Sequence, residues 1–257
     1  MRKYRQNKNA FMKNPPIYLL PNFFTLAAMF SGFYAIIAST HQDFISCGYA
    51  IVFAMVFDSL DGRVARLTHT SSPFGAELDS LSDMVSFGVA PAIIGFNYGL
   101  ANFGKIGWLV SFVYCACAGL RLAKFNTMID SADKRFFSGM PSPAAALIVV
   151  GYFYLLDYFN ISQPIFELIA IFVMAIAGLS MVTNVKFYSF KEFHFHKQAP
   201  FRALLVALAI LCLLLLYPQL VIYGFFIAYT LISYIMHIFK LGYNKKTHRI
   251  EPETEAK

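Results

Sequence analysis

The stretch "FDSLDGRVARLTHTSSPFGAELDSLSD", residues 57–83, sets four aspartates and a glutamate between two strongly apolar runs, "ISCGYAIVFAMV" at 45–56 and "MVSFGVAPAIIGF" at 84–96. Asp58 and Asp61 are three apart and Ala65 follows four later, so one helical face carries all three. Asp79 and Asp83 are four apart, again on one face. The connection "RLTHTSSPFG" holds Ser, Pro and Gly, the residues that turn a chain. Two antiparallel helices are expected, with opposed carboxylate pairs near the end where they join.

Working outward, 58% of the 257 residues are apolar and only 14% charged, more oily than an ordinary soluble domain. Apolar runs of about twenty residues recur, each able to cross a hydrocarbon core of roughly 30 Å as a helix. Eight such spans are predicted, at 17–39, 45–67, 77–99, 105–124, 143–159, 164–184, 203–217 and 219–239. Pro218 alone divides the last two, and six spans result if some segments merge. The fold class expected is an all-α integral membrane protein.

The basic residues orient it, because Lys and Arg collect in cytoplasmic loops. Arg2, Lys3, Arg5, Lys8 and Lys13 precede the first span, and Arg63 and Arg66 end the second. Arg121, Lys124, Lys134 and Arg135 follow the fourth, and Lys186, Lys191, Lys197 and Arg202 the sixth. Lys240, Lys245, Lys246 and Arg249 follow the last, while Lys105 alone falls on the other side. Both termini and the acidic site are thus expected on the cytoplasmic side. The net charge of +7 suits anionic lipid and needs no nucleic-acid partner.

Residues 1–16 read as a basic interfacial segment without a cleavage site, 17–240 as one membrane domain, and 241–257 as a polar, disordered tail. No internal repeat is visible. Cys47, Cys115, Cys117 and Cys212 fall in or beside apolar segments without a CxxC pair, so they read as small hydrophobes. His194 and His196 are two apart in a loop, a weak metal signal. Trp108, like the many Phe and Tyr, reads as a lipid-facing, core or interfacial residue.

A carboxylate at membrane depth costs several kcal/mol unless paired, hydrated or bound to a cation. Four converging acids suggest hard divalent cations, Mg²⁺ or Mn²⁺, two of them sharing ligands and gripping a diphosphate. Gly62, Ala65 and Gly75 leave room for a nucleotide to approach the backbone. Glu77 points off the Asp79 face, and the spacing is not that of an EF-hand. The competing reading has the acids solvating a helix end or pairing with Arg63 and Arg66.

As a pattern the segment is Asp58-x2-Asp61-Gly62-x2-Ala65-Arg66-x8-Gly75-x3-Asp79-x3-Asp83. It resembles the signature of the CDP-alcohol phosphatidyltransferase family at every fixed position. The resemblance implies transfer of a phosphatidyl group from a CDP-linked lipid to an alcohol, with release of CMP. It further implies a binuclear metal centre on Asp58, Asp61 and Asp79. Asp83 is implied as base and further ligand, with Gly62, Ala65, Arg66 and Gly75 lining the nucleotide. Asn22 and Thr25 are expected either to cap the first span or to touch the nucleotide. A homodimer in a bacterial inner membrane is likewise implied.

"LPNFFTLAAMFSGF", "MVSFGVAPA", "GLRLAKFNT" and "FFSGMPSPAAA" resemble the branch of that family whose acceptor is L-serine and whose donor is CDP-diacylglycerol. Lys124 stands where that branch usually has arginine, and Met140 where it has leucine. Serine brings a carboxylate, for which Arg121 is the first candidate partner and Lys124 the second, with Asn126 beside them; both cations also serve as positive-inside anchors. "PSP" at 141–143 reads as the turn into the fifth span, or, with Ser138 and Gly139, as a phosphate-binding loop. Three other readings remain: a family member using glycerol 3-phosphate or inositol, a membrane prenyltransferase with Asp-rich motifs, and a divalent-metal transporter.

Overall fold

The computed structural model describes residues 15–127, 136–161, 163–183, 185–188, 213 and 216–238. The predicted span 203–217, the segments 1–14 and 241–257, Cys212, His194 and His196 lie wholly or almost wholly outside these residues. Helix α1 is Pro15–Thr40 and α2 is Phe44–Leu67; α3 is Pro73–Asp83 and α4 is Ala90–Tyr98, joined by a π-helical turn at Met84–Val89. After a 3₁₀ turn at Leu100–Phe103 come α5 (Lys105–Thr127), α6 (Ser142–Tyr158), α7 (Pro164–Val182) and α8 (Pro218–Ile238). Four of these are long and apolar enough to cross a membrane, and two shorter apolar helices lie at Ser142–Tyr158 and Leu220–Met236. The chain is a helical membrane protein. One two-stranded antiparallel ribbon, β1 (Phe136–Ser138) against β2 (Lys186–Tyr188), departs from the all-α expectation.

Burial on α1 follows side-chain size. Thr25, Ala28, Ala35 and Ser39 face inward, whereas Leu19, Phe23, Leu26, Phe30, Phe33 and Ile37 are exposed at alternating steps of four and three. Without water outside, apolar bulk gains nothing by turning inward, and small residues let backbones approach. Gly32 shows the closeness: a Cβ there would sit 2.6 Å from Ser86 Cα in the π turn. Helix α2 answers with Cys47, Ile51 and Ala54 on its buried seam. Continuing the same steps of four and three leads to Asp58 and Asp61, so the acids point into the bundle. The α1–α2 turn is closed by Asp43, whose carboxylate accepts from Ser46 N at 2.9 Å. Those hydrogen bonds from Ser46 hold Asp43 below the usual carboxylate range.

Helix α6 is the centre of the molecule, buried on nearly every side from Ala144 to Tyr154. Its start is fixed by Pro141 and Pro143, which suit a first helical turn. The Gly139 and Met140 amides donate to the carbonyls of Val185 and Ser180, at 2.9 and 3.0 Å. Their hydrogens are therefore spent on protein, and Gly139 needs its φ of +84° to lie against Met181. The turn expected from "PSP" is observed, and within the alternative phosphate-binding loop the Gly139 and Met140 amides are already bonded to protein.

Candidate active site

The site forms where the α2 C-terminus, the α3 N-terminus, α1 and the end of α5 meet. Ser72 caps α3 by accepting from Gly75 N at 3.0 Å, and Pro73 follows, so the helix starts early enough to place Asp79 opposite α2. Oxygens of Asp58, Asp61 and Asp79 lie within 4.8 Å of one another. Asp58 also lies against Asp83, whose Oδ1 is buried with no hydrogen-bond partner. Carboxylates this close repel unless a proton or a cation lies between them. Among the described residues neither Arg63 nor Arg66 closes an ion pair with them, so the helix-end pairing reading finds no support.

Hydroxyls from α1 and α3 fix this arrangement. Thr25 Oγ1 stands 2.7 Å from Asp61 Oδ2 and donates to it, and both residues are buried. Ser82 Oγ in turn donates to the Thr25 carbonyl at 3.0 Å, and Ser86 Oγ to the Ala28 carbonyl at 3.0 Å. Thr25 thus supports an acid, a part the sequence did not assign to it. The hard oxygen donors, their mutual approach and the orphaned Asp83 oxygen together fit a divalent-metal centre.

Beside the acids opens a cleft of about 230 Å³, lined by Asn22, Thr25, Asp61, Gly62, Ala65, Arg66, Gly75 and Asp79 among others. A Cβ on Gly62 would meet nothing within 4 Å, so that glycine faces open space. Gly75 is closer to its neighbours, with Asn22 Oδ1 3.4 Å from the place of a Cβ. Every sequence-predicted nucleotide residue therefore borders one cavity. Glu77 is exposed and outside it, as its position on α3 implies.

The C-terminal end of α5 brings the third group. Arg121 is half-buried and feels the charges of Asp83 and Asp58. Its Nη1 donates to Ser142 Oγ at the start of α6, inside the "PSP" turn, a contact the spacing of these residues does not reveal. Asn126 donates to Ser80 at 3.0 Å, tying α5 to the turn of α3 that carries Asp79. Lys124 is half-buried in the last turn of α5.

A family model described as CDP-alcohol phosphatidyltransferase matches residues 18–182. The chain belongs to the CDP-alcohol phosphatidyltransferase family. That match runs from α1 through α7 and takes in every element of the CDP-alcohol phosphatidyltransferase site described above. Over 230 residues the chain is 34% identical to a CDP-diacylglycerol–serine O-phosphatidyltransferase of Helicobacter pylori, covering 90% of this chain and 97% of that protein. Proteins of the same name from Methanocaldococcus jannaschii and Saccharomyces cerevisiae are 36% identical over 171 residues and 38% over 149. The archaeal alignment covers 66% of this chain and 74% of its relative; the yeast alignment covers 52% and 53%.

Proposed function

We propose that this protein transfers the phosphatidyl group of CDP-diacylglycerol to L-serine, giving phosphatidylserine and CMP. The observation that carries the reading is the group Asp58, Asp61 and Asp79, of which Asp61 and Asp79 line a cleft together with Gly62 and Ala65. Relatives named for this reaction, one matched over nearly its whole length, support serine as acceptor. Two divalent cations, Mg²⁺ or Mn²⁺, are the cofactors proposed; bound at the aspartates they neutralise a diphosphate and stabilise the departing CMP.

The residues divide the remaining work. Asn22, Gly62, Ala65, Arg66 and Gly75 border the nucleotide, small side chains letting it approach the α2 and α3 backbones. Thr25 holds Asp61. Arg121, with Lys124 and Asn126 beside it, receives the serine carboxylate. The serine hydroxyl oxygen attacks the lipid-bearing phosphorus, Asp83 takes the hydroxyl proton, and the bond to CMP breaks. Acyl chains stay in lipid while serine and CMP exchange with water.

The same reading puts eight spans in a bacterial inner membrane, with both termini and the site cytoplasmic and two copies forming a homodimer. The test is CMP release by purified protein from CDP-diacylglycerol, with L-serine, glycerol 3-phosphate or inositol supplied separately. Serine-dependent release that EDTA abolishes is expected. Release with another acceptor overturns the choice of serine; no release with any, alongside metal uptake by vesicles, returns the transporter reading.

A further inference from the structure

Arg121 faces a buried carboxylate without engaging it. Asp83 Oδ1 has no hydrogen-bond partner, and Asp83 is the first charge that Arg121 feels, yet the guanidinium donates to neutral Ser142. Ser142 is fully buried at the first position of α6. A serine near a helix start ordinarily caps its own helix. Here the side chain caps nothing; Pro141 occupies the cap position without a side-chain bond, and among the described residues the Ser142 hydroxyl is engaged by Arg121 alone.

We infer that Ser142 is a positioning residue, which holds the Arg121 guanidinium off the aspartates and aims it at the carboxylate of the acceptor. This rests on the reading of serine as acceptor and adds what makes an arginine selective there. A guanidinium has five N–H donors in a fixed planar fork. One bond to Ser142 leaves four and fixes the plane in which an edge is offered to a carboxylate. Without that tether the long side chain swings toward Asp83, the carboxylate that acts on it first, and the fork is lost to the substrate. Ser142 itself is anchored, because the preceding Gly139 and Met140 amides are bonded to Val185 and Ser180.

The experiment measures serine-dependent CMP release by wild type, Ser142→Ala and Ser142→Thr, together with inhibition by L-alanine, which carries the ammonium and carboxylate but no attacking hydroxyl. In Ser142→Ala the KM for serine and the Ki for alanine should rise together about tenfold, the size of a lost hydrogen bond to a charged group. The value of kcat and the KM for CDP-diacylglycerol should stay within about twofold of wild type. Ser142→Thr keeps the oxygen and should keep wild-type values. Where Ser142→Ala does not fold, nearly isosteric Ser142→Cys replaces it, its thiol being only a weak acceptor. Unchanged serine KM and alanine Ki in Ser142→Ala overturn the inference. So does a fall in kcat with both substrates affected alike, which marks a structural role. A wild-type enzyme indifferent to serine instead defeats the acceptor assignment, and is visible before any variant is made.

Discussion

Asp83 and Thr25 show what one side chain contributes and how far the sequence announces it. The aspartates were legible because a carboxylate in apolar sequence demands an explanation, and helical spacing put Asp58 with Asp61 and Asp79 with Asp83. The bonds around them were not legible: Thr25 is expected at the site but not as the partner of Asp61, and Ser82, which holds Thr25, and Ser142, which holds Arg121, are ordinary residues for a membrane helix until the tertiary partner is seen. Asp83→Asn keeps the shape of the site and removes the proton acceptor. Turnover should fall by at least about 10²-fold while CDP-diacylglycerol binding persists, as single-turnover assay and equilibrium binding would report. Asp58→Asn should lose metal binding and activity together. Thr25→Val keeps volume and deletes the 2.7 Å bond to Asp61. The midpoint for Mn²⁺, followed by calorimetry on the resting protein, should weaken by roughly 10- to 100-fold, the usual effect of removing a ligand's hydrogen-bonded support. An unchanged midpoint would show that Asp61 is positioned by its helix alone.

At the scale of elements, apolar length placed six of the eight predicted spans on observed helices and the eighth on α8, but length carries no information about a π turn. The segment 84–89 widens the helix where Ser86 meets Gly32 and where the Phe87 carbonyl receives the Tyr114 hydroxyl at 3.0 Å. Asp83 immediately precedes this turn, and such π turns are frequent at functional sites. The ribbon of β1 and β2 also escaped notice, three residues a side being too short for a period to register. Two glycines make opposite predictions. Gly32→Ala drives a Cβ into the Ser86 backbone, and should cost about 1–3 kcal/mol in stability with a lower thermal midpoint in detergent. Gly62→Ala meets nothing within 4 Å and should leave that midpoint unchanged. It intrudes on the cleft instead, and the KM for CDP-diacylglycerol should rise roughly tenfold, about 1.4 kcal/mol. If the KM of Gly62→Ala is unchanged, the cleft assignment of Gly62 is wrong.

Across the whole molecule, charge sorts with the ends of the bundle, and that supports one orientation. Arg63, Arg66, Arg121 and Lys124 lie at the end with the aspartate cluster, close to where α2 and α5 finish and α3 and α6 begin. At the opposite end the turns carry Asp43, Asp157 and Glu167, with Lys105 the one described cation. Positive residues resist translocation whereas acids contribute little, so the aspartate end should be cytoplasmic. The substrates agree, because a soluble amino acid and CMP exchange with cytosol while a diacyl lipid stays in the leaflet. A cysteine introduced at Gln42, in the turn between α1 and α2, and one introduced at Ser71, between α2 and α3, should therefore label oppositely with a membrane-impermeant maleimide in intact cells. The native cysteines lie within helices or, for Cys212, outside the described residues, and are first replaced by alanine or serine. Gln42→Cys should react from outside and Ser71→Cys only after the membrane is opened. Labelling of Ser71→Cys in sealed cells would put the aspartates on the outer face, away from cytosolic serine, and would defeat the cytoplasmic site whatever the purified protein catalyses.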